Sequence, residues 1–279
     1  MIPMLVVLSI VSFIIIQLPP GDYLTTYILR LEATGQQFNE AEIARLRSQY
    51  GLDDSIYVQY FKWMASVFRG DFGRSFHWRR PVGEVLAIRL PITLAMSFSS
   101  LVVVYVLAIP IAIFSATHQY SLFDYASTFA GFIGLAMPDF LLALVISWIF
   151  FLMSGKMVTS LYSLPFREAP WSWAKFADLL SNIWLPIVIV GLSGTAGLIR
   201  TLRATLLDEL RKPYVTTARA KGLTETRLLF KYPVRIAMNP IFSTIGWILP
   251  GLINGGVIVG IVLNLQTIGP VLMQATLSQ

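Results

Sequence analysis

No cysteine occurs anywhere in the chain, so disulfide bonding and thiol chemistry are excluded outright. Histidine is nearly as scarce. His77 and His118 stand alone, no HExxH spacing appears, and a metal site of the common histidine type has no ligand set to draw on. Charge is thin: 13% of residues are Asp, Glu, Lys or Arg, against roughly 25% in an ordinary soluble domain. Neither GxxxxGKS nor GxxxxGKT is present, so the chain cannot hold nucleotide by itself as a P-loop ATPase does.

What fills the space is apolar. Hydrophobic residues make up 56% of the chain and the mean hydropathy is +0.68. A length of 279 residues would serve one or two soluble domains, but this apolar excess predicts an all-α, polytopic transmembrane helical bundle. The net charge of +6 does not point to nucleic acid, because the Lys and Arg residues cluster between apolar runs, as topology signals do.

Five stretches approach the roughly 20 apolar residues that a crossing helix needs: 1–18, 90–117, 125–153, 179–199 and 240–263. The first lacks the basic start and small-residue cleavage pattern of a signal peptide, and begins as though a basic segment preceded it. Pro110, Pro138, Pro186 and Pro250 fall inside spans, which membrane helices tolerate better than soluble ones.

The connections differ in character. Residues 19–89 form a long, mixed-charge, aromatic-rich segment with helical stretches expected at 39–50 and 55–68; Asn39 followed by Glu42 reads as a helix start. Residues 118–124 make a tight turn. In and beside the loop 154–178, Trp171, Trp173 and Trp184 are placed as interfacial anchors. Residues 200–239 carry Arg200, Arg203, Arg211, Lys212, Arg219, Lys221, Arg227, Lys231 and Arg235 against only Asp208, Glu209 and Glu225. The positive-inside rule puts this last connection in the cytoplasm, together with 118–124, and leaves 19–89 and 154–178 outside. Segment 19–89 is then a small helical periplasmic insertion, too long and too balanced in charge to overturn the orientation.

Within the basic connection, Pro213 suits the first turn of a helix and Gly222 the residue just past its end, leaving room for about two turns. So short a helix is not stable alone in water, and a docking surface is expected. Ala218, Ala220 and Gly222 are small enough for close approach by a partner, and Arg219 and Lys221 can pair with its acids. The alternative is a basic loop that only fixes topology.

The run Thr216-Thr217-Ala218-Arg219-Ala220-Lys221-Gly222 resembles the cytoplasmic coupling motif in permease subunits of bacterial ABC importers, in their peptide/oligopeptide branch. The similarity extends along nearly the whole chain. Pro20, Gly21 and Asp22 are similar to an element after that branch's first span. Tyr50-Gly51-Leu52-Asp53, Gln59, Tyr60, Trp63, Gly70-Asp71-Phe72-Gly73 and Ser75 resemble its external segment. Arg80-Pro81-Val82, Arg89-Leu90-Pro91 and Thr93-Leu94 resemble the approach to its second span. There are two departures. The motif opens Thr-Thr-Ala where the wider family has Glu-Ala-Ala and this branch usually Arg-Thr-Ala. Family members also end on a further helix, so a sixth span is expected beyond residue 279, with Gln266-Thr267-Ile268-Gly269-Pro270 as the loop before it.

The resemblance implies one permease domain over 1–279, with 19–89 as its periplasmic insertion and 200–239 as its cytoplasmic coupling loop. It implies a second homologous permease, two ATP-binding cassette ATPase subunits that hold the ATP and Mg, a periplasmic solute-binding protein, membrane lipid around the spans, and no cofactor in this chain. Coupling to the ATPase falls on Tyr214, Thr217, Ala218, Arg219, Ala220, Lys221 and Gly222. The cargo is a peptide by default, with oligosaccharide and nickel carriers known in the same branch.

Asp139 and Asn254 are candidates for the translocation path. Asp139 is the only acid in any expected span, and an intramembrane ionisable group is functional by default; the alternative is a cap on a half-helix at the Pro138 break. Asn254 with Gly251, Gly255 and Gly256 either lines a pore or marks close helix packing. Trp63 and Trp78 either stack on a sugar or peptide, or pack a small lid domain or sit at the membrane interface. A secondary transporter would show repeated halves and paired intramembrane charges, and neither is present.

Overall fold

The computed structural model describes residues 2–17, 54–75, 78, 80–155, 160–167 and 169–277. The expected helix at 39–50 and the motifs at Pro20, Gly21 and Asp22 and at Tyr50-Gly51-Leu52-Asp53 lie outside the described residues. No strand occurs among the described residues; an isolated bridge joins Arg74 and Pro81. The chain divides into two compact units, Met1–Ile88 with Leu272–Gln279, and Arg89–Val271.

In the first unit, α1 (Ile2–Gln17) is an uncharged helix of 16 residues. At 1.5 Å per residue it is about 24 Å long, short of the roughly 30 Å of a bilayer core. Helix α2 (Ile56–Phe68) packs its aromatic face on α1: Phe13 meets the rings of Tyr60 at 5.4 Å and Trp63 at 5.8 Å, and Ser9 Oγ lies 2.8 Å from Tyr60 Oη. Trp63 remains 41% exposed beside this contact.

The second unit is organised around α3 (Val82–Thr117, counted here from Arg89) and α6 (Trp173–Leu210). One stripe of α3, with Val104, Ala108 and Ala112 at helical spacing, is fully buried. Ser100 Oγ donates to the Ile187 carbonyl of α6 at 3.1 Å. At Gly191 an added Cβ would come within 3.2 Å of the Ser100 carbonyl, so a missing side chain sets the α3–α6 approach.

The expected span 125–153 is not one helix. Met137 and Pro138 are extended, and α4 (Leu122–Ala136) and α5 (Asp139–Ser154) meet at 115°. Pro138 lacks an N–H and pushes Met137 out of the helical region, which ends α4. The expected connection 200–239 starts too early: α6 runs unbroken for 38 residues, about 57 Å, from inside the expected outer loop to Leu210. Arg200 and Arg203 are therefore helical.

Beyond α6 come α7 (Pro213–Ala220), α8 (Glu225–Lys231), α9 (Pro233–Ser243), α10 (Ile245–Val262) and α11 (Ile268–Leu277). The last corrects the expected loop at 266–270, since an apolar helix has already begun at Ile268. Its start is fixed from within the fold, where Ile268 N–H donates to Thr93 Oγ1 at 2.9 Å. By length and composition α3, the 173–192 part of α6, and α10 can each cross a membrane, and α4 with α5 forms a broken fourth candidate; α1 and α11 are shorter apolar helices.

Candidate functional site

Two places answer to the sequence candidates. The first is the α7–α8 pair at the foot of α6. Pro213 opens α7, its missing N–H costing nothing in a first turn. Gly222 closes it with φ +80°, in the left-handed region where a side chain is strained. Around that glycine the backbone turns back on itself. Gly222 N–H donates to the Arg219 carbonyl at 3.0 Å, and Leu223 N–H to the Ala218 carbonyl at 3.4 Å. This reversal folds α8 under α7, so that Val215, Ala218 and Leu228 form a small satellite core flanked by Tyr214, Leu223 and Tyr232.

That core sorts the expected coupling residues into two groups. Ala218 and Tyr214 face inward. Ala218 is 7% exposed, and its small size serves the α7–α8 contact. Tyr214 is half-buried, and its hydroxyl donates to Glu209 Oε2 at 2.6 Å, tying α7 to the last turn of α6. Burial, followed by that carboxylate, pushes the phenol up to about 12. Thr217, Arg219, Ala220, Lys221 and Gly222 are exposed. Arg219 grips Glu225 with both arms, at 2.5 and 3.0 Å. The fork holds the Glu225 carboxyl below its usual range and raises the Arg219 guanidinium.

The second place is a cavity of about 190 Å³ bounded by Asp139, Gly194, Ile248, Gly251 and Leu252, with Val190 and Val259 behind. Asp139 is half-buried in the first turn of α5, where the helix N-terminus favours an acid, and it borders the cavity at the same time. The N-cap itself is Pro138, so Asp139 opens the half-helix as its first residue and is not its cap. The structure does not bring Asn254 there: it is exposed on α10, while Gly251 and Leu252 take the cavity face. No group of three potential metal ligands occurs among the described residues.

Sequence reading missed the Asp124–Arg203 pair. Asp124, 3% exposed at the start of α4, accepts from Arg203 Nε at 2.8 Å and from the outer guanidinium nitrogen at 2.7 Å. Ser115 Oγ and Tyr120 N–H complete its shell. Asp124 stood in the expected turn and Arg203 in the basic connection, 79 positions apart, with nothing local to join them.

Residues 108–279 match the family described as binding-protein-dependent transport system inner membrane component, and residues 1–97 match the corresponding N-terminal family. The oligopeptide transport system permease protein AppB of Bacillus subtilis is 34% identical over 259 residues, covering 92% of this chain and 78% of the relative. The inner membrane ABC transporter permease protein YejB of Escherichia coli O157:H7 is 31% identical over 251 residues, 88% of this chain and 68% of the relative. With apolar helices of crossing length and a family match over well beyond half its residues, the chain belongs to the binding-protein-dependent transport system inner membrane components, the membrane-embedded permeases of ABC transporters.

Proposed function

We propose that this permease is one pore-forming half of an ATP-driven importer in the bacterial inner membrane, taking peptides or similarly sized solutes from a periplasmic binding protein into the cytoplasm. The oligopeptide designation of the Bacillus subtilis relative supports the cargo class. A second homologous permease completes the pore. Two ATPase subunits bind the ATP and Mg, and each permease engages one of them through α7.

The observation that carries this reading is the α7–α8 pair: a compact basic element with its own small core, braced to α6 by Tyr214 and Glu209, offering Thr217, Ala220 and Lys221 outward. One continuous helix, α6, runs from Gly194 at the cavity to Glu209, which the Tyr214 hydroxyl ties to α7 across the short turn at Arg211 and Lys212. Segments 19–89 and 154–178 then face the periplasm and the α7–α8 side faces the cytoplasm. Asp139 belongs to the path and Asn254 to its surroundings.

The test uses Ala220→Trp, since bulk at Ala218 would disrupt the inner core instead. Overpacking of a docked face costs about 1–3 kcal/mol, roughly tenfold in ATPase association. In proteoliposomes carrying the whole complex, with binding protein and a labelled oligopeptide outside, uptake and ATP hydrolysis are expected to fall together. Undiminished transport would refute docking through α7. A cysteine replacing Thr217, on this cysteine-free background, checks orientation, because an impermeant reagent should label it only after the membrane is opened.

A further inference from the structure

A second cavity, of about 260 Å³, lies between α4 and α6, and nothing in the transport reading uses it. The two helices run antiparallel along it. Asp124 pairs with Arg203 at one end, while an added Cβ on Gly134 would lie 3.6 Å from Ala196 at the other. From Ser127 to Leu135 the groove extends about 12 Å.

Its lining changes character along that length. Towards Leu135 the walls are Phe132, Ala196 and Ile199, with Gly131 leaving the floor open; towards α7 they are Ser127, Thr128, Arg200 and Arg203. Arg203 is engaged by Asp124, so the pair adds little net charge. Arg200 is different. It is exposed and makes no hydrogen bond or ion pair among the described residues, and the Thr128 hydroxyl lines the same end. Phe129 and Phe132, at 68% and 55% exposure, continue the apolar surface outward on α4.

We infer that this groove holds an anionic phospholipid, one acyl chain lying between Leu135 and Ala196 and the phosphate on Arg200, in the leaflet on the α7 side. A groove with apolar walls and one unmatched cation at its mouth has the polarity of such an amphiphile. A lone Arg at the membrane surface attracts anionic headgroups, and an apolar wall in a membrane is covered by acyl chain or by another helix. A partner helix would need an acid to match Arg200, and a zwitterionic lipid carries its own cation beside the phosphate, so only an anionic headgroup brings net charge to offset Arg200. The inference rests on the membrane reading of α4 and α6 alone, and stands whatever the cargo or direction of transport.

The experiment uses the full permease complex purified from membranes and exchanged into nanodiscs holding a trace of photoactivatable phosphatidylglycerol in phosphatidylcholine. Cross-linked lipid is expected on α4 or α6 peptides. Arg200→Gln should cut the yield roughly fivefold, the worth of one interfacial cation. Ala196→Trp, which fills the apolar end, should cut it without altering charge. Glycerol phosphate, a headgroup without a chain, should not compete. Equal labelling of the wild type and both variants would overturn the site, and so would equal yield from a phosphatidylcholine probe. A cysteine at Thr128 that cross-links to the second permease in place of lipid would also overturn it, making the groove a subunit interface.

Discussion

Arg203 with Asp124 and Arg219 with Glu225 are the same chemistry in opposite surroundings. Each is a two-armed guanidinium–carboxylate grip. The first has side-chain exposures of 26% and 4% and joins residues 79 positions apart; the second has 55% and 67% and joins residues 6 apart. Burial makes the first hard to lose. A carboxylate left alone at Asp124 has little water to fall back on, so the pair pins α4 to α6 and, through Ser115, to the end of α3. The second pair is solvated with or without its partner, so it closes the α7–α8 reversal lightly and can exchange for an acid on another protein. A rigid tie sits where α4 packs on α6, and a replaceable one sits on the exposed face that we propose docks on the ATPase.

The largest effect expected from breaking this contrast is at the buried pair. Arg203→Met should destabilise the permease in detergent by about 3–5 kcal/mol, read as a loss of thermal midpoint, because Asp124 stays charged and unpaired. Adding Asp124→Leu should recover much of that loss, since two apolar side chains leave no orphaned charge. A double variant no better than the single one would show that the pair supplies shape rather than charge balance.

Next comes Gly222→Ala, which puts a side chain at φ +80° and should cost about 1–2 kcal/mol. The loss should appear as faster proteolysis between α7 and α8, with the remainder of the fold intact.

Tyr214→Phe removes one hydrogen bond, worth about 1 kcal/mol. Burial of the phenol, with that bond second, also gives a pH dependence. The folded phenol is raised to about 12 from 10.0, so its contribution is complete below pH 10 and is lost as pH rises through about 12. Alkaline titration by ultraviolet absorbance should show one late-ionising tyrosine fewer in the Phe variant.

The smallest effect belongs to the exposed fork. Arg219→Ala should leave the thermal midpoint within replicate scatter while weakening ATPase recruitment. Because the Glu225 carboxyl is depressed, the fork is intact above the ordinary value of 4.5 and is lost as pH falls through the lowered one. A clear stability loss in Arg219→Ala at neutral pH would mean that the two forks are not different in kind.

Much of this could be read in the chain beforehand. Long uncharged runs announced helices, because a backbone in lipid must satisfy its hydrogen bonds internally. Pro213 and Gly222 bracketed α7, because proline is preset at a helical φ and spares a first-turn N–H, while glycine takes φ above zero at the least cost. Other boundaries were misplaced. Charge at Arg200 and Arg203 suggested a connection, yet α6 continued, since a paired or snorkelling arginine is a good helix former. Pro138 was visible, but the 115° turn it permits was not.

By itself, then, the sequence determined which long stretches are apolar, where α7 is bracketed, and which family the chain resembles. These follow from local backbone preference and from the cost of charge in lipid, both of which act over a few residues. Only the tertiary structure decided that Ala218 points inward and Ala220 outward, that Asp139 borders a cavity and Asn254 does not, and that Asp124 meets Arg203. Those outcomes depend on which helix faces which, and contacts between residues far apart in the chain are settled by how whole surfaces fit together, for which no short stretch carries a signal.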